Sequence, residues 1–241
     1  MKPLENRVAV LTGAAGGIGV PIARALTQEG AKLLLTDRDA EQLVRLAGEL
    51  GGDCAVYAAD LTDDDAPREI IAYCRERFGR LDILVNNAGI ASRKPVLEVQ
   101  REELMRHFLL NSYVPLAMAQ AAVPLLKESA AGEIVTISSV AGMHPYEGQA
   151  SYCASKHAQR ALMEVLSMEL FSMGTGIRVH TIAPAGVDTG MIRVTRPDLD
   201  GDANSRPEEI AEIILFILTH RNNSVLDEIY IRRHAKPPFE L

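Results

Sequence analysis

The sequence predicts a single α/β domain, doubly wound, with a mostly parallel seven-stranded sheet and helices on both faces, and three observations carry that prediction. Short aliphatic and β-branched runs alternate with longer segments of helical period along the 241 residues. Those runs are apolar throughout instead of at every second position, as strands buried on both faces require. A glycine-rich turn stands between the first run and the first helical segment, where doubly wound sheets bind ligands.

Residues 7–12 form the first predicted strand and 18–28 the first helix, followed by a strand at 32–36 and a helix at 40–50. A strand at 54–58, a helix at 67–78 and a strand at 83–85 complete the first half. The second half repeats the pattern: helix 102–127, strand 133–138, helix 152–173, strand 177–183, helix 208–218 and a last strand at 226–231. No Pro-, Gly- or Ser-rich boundary divides the chain, so residues 1–241 read as one domain. The irregular, polar stretch within about 185–207 reads as a substrate loop over the carboxyl ends of the strands.

Composition excludes several functions. A net charge of −7 without a Lys/Arg cluster has the wrong sign for nucleic acid or an acidic membrane surface. Three cysteines, an odd count with no CxxC pair and no histidine at metal-ligand spacing, indicate neither a disulfide framework nor a metal site. The polar start lacks the apolar core of a signal peptide, and no apolar run reaches the roughly 18 residues of a membrane span. A cytoplasmic protein with reduced thiols is expected.

The turn Thr12-Gly13-Ala14-Ala15-Gly16-Gly17-Ile18-Gly19 leads into a helix N-terminus, so backbone N–H groups and the helix dipole face a pyrophosphate. Gly13, Ala15, Gly17, Ile18 and Gly19 are the expected contacts. Asp37, ending the second strand, suits the ribose hydroxyls of the adenosine half, and its charge would repel a 2′-phosphate. NAD is therefore favoured, while Arg38 beside it keeps NADP open. Asp60, with Leu61 next to it, is placed for the adenine ring. Asn87, Ala88 and Gly89 close the fourth strand with small residues on which a flat ring can lie.

Tyr152 and Lys156 stand one helical turn apart and share a helix face. A phenol with a pKa near 10 is a poor base at neutral pH, and a neighbouring ammonium would lower that value. Ser139, at the end of the fifth strand, can stabilise a developing alkoxide. A proton-transfer site follows, with Tyr152 as acid or base.

The combination Thr12-Gly13-x-x-x-Gly17-x-Gly19, Asn86-Asn87-Ala88-Gly89, Asn111, Ser139 and Tyr152-x-x-x-Lys156 resembles the short-chain dehydrogenase/reductase family across nearly the whole chain. The resemblance implies a Rossmann-type oxidoreductase that moves a hydride between a nicotinamide cofactor and an alcohol or carbonyl. It implies Tyr152 as general acid/base, Lys156 as ribose anchor, Ser139 as substrate orienter and Asn111 as holder of a relay water. Pro184, Val187 and Thr189 would contact the nicotinamide.

Two departures stand out. Pro184-Ala185 replaces the family's common Pro-Gly, and the C-terminus runs Ile231-Arg232-Arg233-His234-Ala235-Lys236 where many members have a glycine-rich turn. The second puts a homotetramer in doubt and leaves a homodimer through the long helices.

For the substrate wall the sequence offers Arg93, Val140, His144 and Gln149, with Arg93, Arg193 and Arg196 as possible anion binders. The alternatives are an NADP-dependent 3-oxoacyl-type reductase, a dinucleotide-sensing regulator without turnover, which a complete Tyr/Lys/Ser set disfavours, and a sugar-nucleotide epimerase, for which too little chain remains.

Overall fold

The computed structural model describes residues 2–195 and 204–237. The strands β1 (Val8–Thr12), β2 (Lys32–Asp37), β3 (Cys54–Ala58), β4 (Ile83–Asn86), β5 (Glu133–Ile137), β6 (Arg178–Pro184) and β7 (Glu228–Ile231) form one sheet in the order β3-β2-β1-β4-β5-β6-β7. Every pairing is parallel. The order turns back on itself at β1 and β4, and the crevice at that reversal is where ligands of such sheets bind.

One face is covered by α1 (Gly19–Gln28), α2 (Ala40–Leu50) and α8 (Pro207–Thr219), and the other by α3 (Ala66–Phe78), α5 (Val114–Leu126) and α6 (Ala150–Ser172). Strands β1, β4 and β5 are buried at every position, which is why their sequences do not alternate. Odd-numbered β1 residues such as Ala9 and Leu11 join the first apolar layer, while Val8 and Val10 join the second.

The long helix expected at 102–127 is interrupted. It runs as α4 (Arg101–Phe108), a π-helical turn at Leu109–Tyr113, and α5. The turn puts Asn111 and Ser112 in the interior and widens the helix at the site, a placement common for π-bulges. By length and composition Arg101–Leu126 could cross a bilayer, and half of its apolar window is packed inside the protein. A short helix not expected from sequence, α7 (Gly190–Thr195), follows β6, and positions 196–203 of the predicted substrate loop, Arg196 included, lie outside the described residues.

At the amino-terminal edge of the sheet the buried charges are matched. Glu133 is fully buried, 2.9 Å from Arg7 Nη2 and 3.2 Å from Arg221 Nη1. Asp82 accepts from the Val8 N–H, from Arg80 and from the Ser129 hydroxyl, and these donors hold its carboxyl below the usual range against the opposing effect of burial.

Candidate active site

Two adjoining hollows open at the carboxyl edge of the sheet. The first is a cleft of about 840 Å³ bounded by Gly13, Gly17, Ile18, Asp37, Arg38, Asp60, Leu61 and Asn87–Gly89. It is built mainly from backbone. Gly13 has a φ of 63°, and a Cβ there would stand 2.8 Å from the Cα of Ala88. Gly19 packs under the turn so closely that a Cβ would overlap the Gly13 carbonyl. Thr12 Oγ1 accepts from the N–H groups of Asn87 and Ala88, and Asn87 Nδ2 donates to the Thr12 and Gly13 carbonyls, so the ends of β1 and β4 are tied together.

Helix α1 has no side-chain cap and no acidic residue in its first turn; Val20 and Ile22 already donate to the Gly16 and Ile18 carbonyls and Pro21 has no N–H, so the groups left to face an anion are the N–H groups of Gly17, Ile18 and Gly19. The cleft thus fits a dinucleotide, with two amendments to the expected contacts. Ala15 lies against the hydrophobic core and its N–H donates to Asp37 Oδ2 at 3.3 Å, so it is engaged inside the protein; Gly19 serves packing instead of contact.

Asp37 Oδ1 also accepts from the Asp39 N–H. Asp60 is held by the N–H and hydroxyl of Thr62 in a local turn, which lowers its carboxyl pKa, and Arg38 and Arg106 add to that lowering. Arg106, on α4, lines the same cleft and was not expected from the sequence, because only the fold brings α4 to the cleft that Asp60 also lines.

The second hollow, of about 330 Å³, brings Ser139, Tyr152 and Lys156 together with Pro184, Val187 and Thr189. Ser139 leaves β5 with an extended backbone (φ −169°), accepts from the Ala141 N–H, and hydrogen-bonds with the Tyr152 hydroxyl. Tyr152 and Lys156 lie on the first turns of α6. Lys156 is buried, donating to the Ile137 carbonyl at 2.9 Å and to Gln159 Oε1 at 3.0 Å. Gln159 was missed by sequence reading; it is fully buried, and its Nε2 has no partner among the described residues.

The electrostatics of this protein alone differ from the expected cation-assisted phenol. Burial draws the Lys156 ammonium down from 10.5 to about 7, and burial raises the Tyr152 phenol against the smaller lowering by Ser139. Desolvation penalises the charged form of each group and is the leading cause of both shifts.

Asn111 is fully buried behind the pocket, where Oδ1 accepts from the Ile90 N–H and Nδ2 donates to the Ile90 carbonyl and to Ser155 Oγ. It thereby pins the segment that follows β4, whose Gly89, Ile90 and Ala91 line the catalytic hollow.

Of the expected substrate residues, Val140 and the buried Gln149 line this hollow, whereas Arg93 and His144 do not. Arg93 lies along Gly148 in a separate surface groove, held there by the Lys94 N–H bond to the Gly148 carbonyl, and His144 is turned to solvent by the 3₁₀ turn that follows Ser139. Arg193 is spent on Asp188 at 2.9 Å. The wall holds instead Tyr146, Met191, Ile192 and three residues beyond β7: Arg232, Arg233 and Lys236. No carboxylate stands among its described lining residues.

Known proteins share this fold. An alcohol dehydrogenase from the archaeon Thermococcus sibiricus, solved with 5-hydroxy-NADP, superposes with a TM-score of 0.88 at 28% identity, over 96% of this chain and 98% of the other. A metagenomic short-chain oxidoreductase solved with NADP gives 0.82 at 32% identity, over 96% and 99%. An uncharacterized oxidoreductase of Staphylococcus aureus is 34% identical over 233 residues, 96% of this chain and 99% of its own length. A Staphylococcus epidermidis counterpart is 32% identical over 232 residues, with the same two shares. The sequence profile of the short chain dehydrogenases matches residues 7–200, and with the sheet order and the residues gathered at its carboxyl edge this establishes that the chain belongs to the short-chain dehydrogenase family of oxidoreductases.

Proposed function

We propose that this oxidoreductase interconverts an alcohol and a carbonyl, with Tyr152 as the group that moves the proton. The observation that carries the reading is the convergence of Tyr152, Ser139 and Lys156 on one hollow that adjoins the glycine-turn cleft. A bound nicotinamide would supply the hydride in reduction and take it in oxidation. The chain's own groups do the rest. In reduction the Tyr152 hydroxyl gives its proton to the carbonyl oxygen as carbon gains the hydride; in oxidation the alcohol proton returns to Tyr152 as the hydride leaves. The Ser139 hydroxyl bonds the same oxygen and supports its developing charge. Lys156 would hold the ribose hydroxyls of the bound cofactor, and its ammonium form would stabilise the phenolate.

NAD is our reading of the cofactor, because Asp37 presents a carboxylate where a 2′-phosphate would lie. NADP is the second reading. Arg38 and Arg106 on the same cleft offer it two positive charges, and the two solved relatives held NADP or its hydroxylated form. The exposed apolar residues Val165, Met168 and Phe171 on α6 support a homodimer through that helix, which light scattering on the purified protein would test.

Titration with NADH and NADPH, then a panel of alcohols and ketones, tests the whole. Tyr152→Phe should lower kcat by about 10³-fold and leave both cofactor affinities within about threefold. Turnover retained at more than a few per cent of the original would move the proton transfer to another group.

A further inference from the structure

The protein carries 32 acidic and 25 basic side chains, yet the wall of its catalytic hollow holds Lys156, Arg232, Arg233 and Lys236 and no described carboxylate. The last three come from one piece of chain. Strand β7 ends at Ile231, whose carbonyl still accepts from the Ala185 N–H, so the backbone leaves the sheet beside the end of β6. A turn follows, closed by the Lys236 N–H on the Arg233 carbonyl and braced by Arg232 Nη1, which donates to the carbonyls of Arg233, His234 and Lys236. Arg232 therefore shapes the turn. Arg233 lies across Gly186 with Nη1 on the neutral Asn204 side chain at 3.3 Å, and neither Arg233 nor Lys236 forms an ion pair with a described residue. Two cations without a counter-charge among the described residues thus stand over a hollow of about 330 Å³, small enough to select a compact substrate.

Resting on the dehydrogenase reading above, we propose that the substrate is a small hydroxy or oxo compound bearing a carboxylate or phosphate, and that Arg233 and Lys236 hold that anion while Tyr152 and Ser139 hold the reacting oxygen. The guanidinium supplies paired N–H donors to a planar or tetrahedral oxyanion, and partial burial strengthens the contact by limiting competition from water. The charges also select: a neutral analogue leaves the half-buried Arg233 without a counter-charge.

Two measurements on the full-length protein test this. In the first, malonate and inorganic phosphate are titrated calorimetrically into protein saturated with reduced cofactor. At least one should bind, at least tenfold more weakly to the Arg233→Ala/Lys236→Ala variant; absence of binding by both, or binding unchanged in the variant, overturns the proposal. Arg233→Lys and the exposed Lys236→Gln serve if the double variant does not fold, each expected to weaken binding about threefold, and unchanged affinity in both counts against it. In the second, 4-oxopentanoate is compared with its methyl ester, and dihydroxyacetone phosphate with dihydroxyacetone. A kcat/KM at least tenfold higher for the charged member of one pair supports the assignment and separates carboxylate from phosphate, whereas preference for the neutral member in both pairs sinks it. Turnover without charge preference leaves the dehydrogenase reading standing and this one fallen; anion binding with no turnover of any alcohol or ketone does the reverse.

Discussion

The two edges of the sheet treat charge in opposite ways. At the amino edge Glu133 lies between Arg7 and Arg221, and Asp82 is surrounded by donors, so buried ions there have partners. At the carboxyl edge Lys156 is buried with only neutral acceptors, the Gln159 amide is incompletely satisfied, and Arg233 and Lys236 lack counter-ions among the described residues. The amino edge sets each buried charge against an opposite charge or polar donors, even though Arg7 Nε, Glu133 Oε1 and Arg221 Nη1 make no hydrogen bond among the described residues. The carboxyl edge has polar capacity in reserve, which is what a site needs if ligand groups are to complete it.

Three changes would sharpen or break that contrast, and the largest belongs to the amino edge. Glu133→Gln leaves two arginines facing a neutral group in a buried setting and should cost about 3 kcal/mol of stability, read as a fall in Tm of about 6–12 °C. Turnover per folded molecule should stay within twofold. A stability loss below about 1 kcal/mol would show that the buried acid is not what holds that edge.

Next in size is the cofactor cleft. Asp37→Ser removes the charge opposed to a 2′-phosphate while Arg38 and Arg106 remain, so the NADP-to-NAD ratio of kcat/KM should rise about 10- to 100-fold, on the order of 1.4–2.8 kcal/mol. An unchanged ratio would mean that the arginines decide the cofactor.

The smallest effect is a pH dependence. Lys156 has a pKa of about 7 in the folded protein against 10.5 when solvated, so between these values the unfolded chain binds more protons. Stability from this group is therefore present above 10.5 and is lost as pH falls toward 7. The difference in unfolding free energy between the cofactor-free protein and Lys156→Met should accordingly rise from pH 7 to pH 9 in favour of the unsubstituted protein, by at most about 1.4 kcal/mol per pH unit. A flat difference would show that the lysine keeps its proton in the resting pocket.

What could be read in advance follows the same division. The cleft is made of backbone: a positive φ at Gly13, close packing at Gly19, and the tie of Asn87 to the first turn. Such features require particular residue types at fixed local spacing, and they stand in the sequence as a motif. Tyr152 and Lys156 were legible for a similar reason, since four residues on a helix make one face. Arg106 and Gln159 were not legible, because an arginine or glutamine on a helix has no local mark until another element is packed against it. Arg93 and His144 failed conversely: sequence proximity to the site segments suggested contact, and the Gly148 groove and the 3₁₀ turn carried them away.

By itself the sequence determined the parallel sheet, the dinucleotide turn and the Tyr152/Lys156 pair, since periodicity and short spacings are local properties that chain geometry enforces. Only the tertiary structure decided that Lys156 is buried, that Asn111 braces Ile90, and that the C-terminal turn lines the same hollow as Tyr152. Each of those depends on desolvation or on contacts between residues far apart in the chain, and burial and distance exist only once the layers have closed.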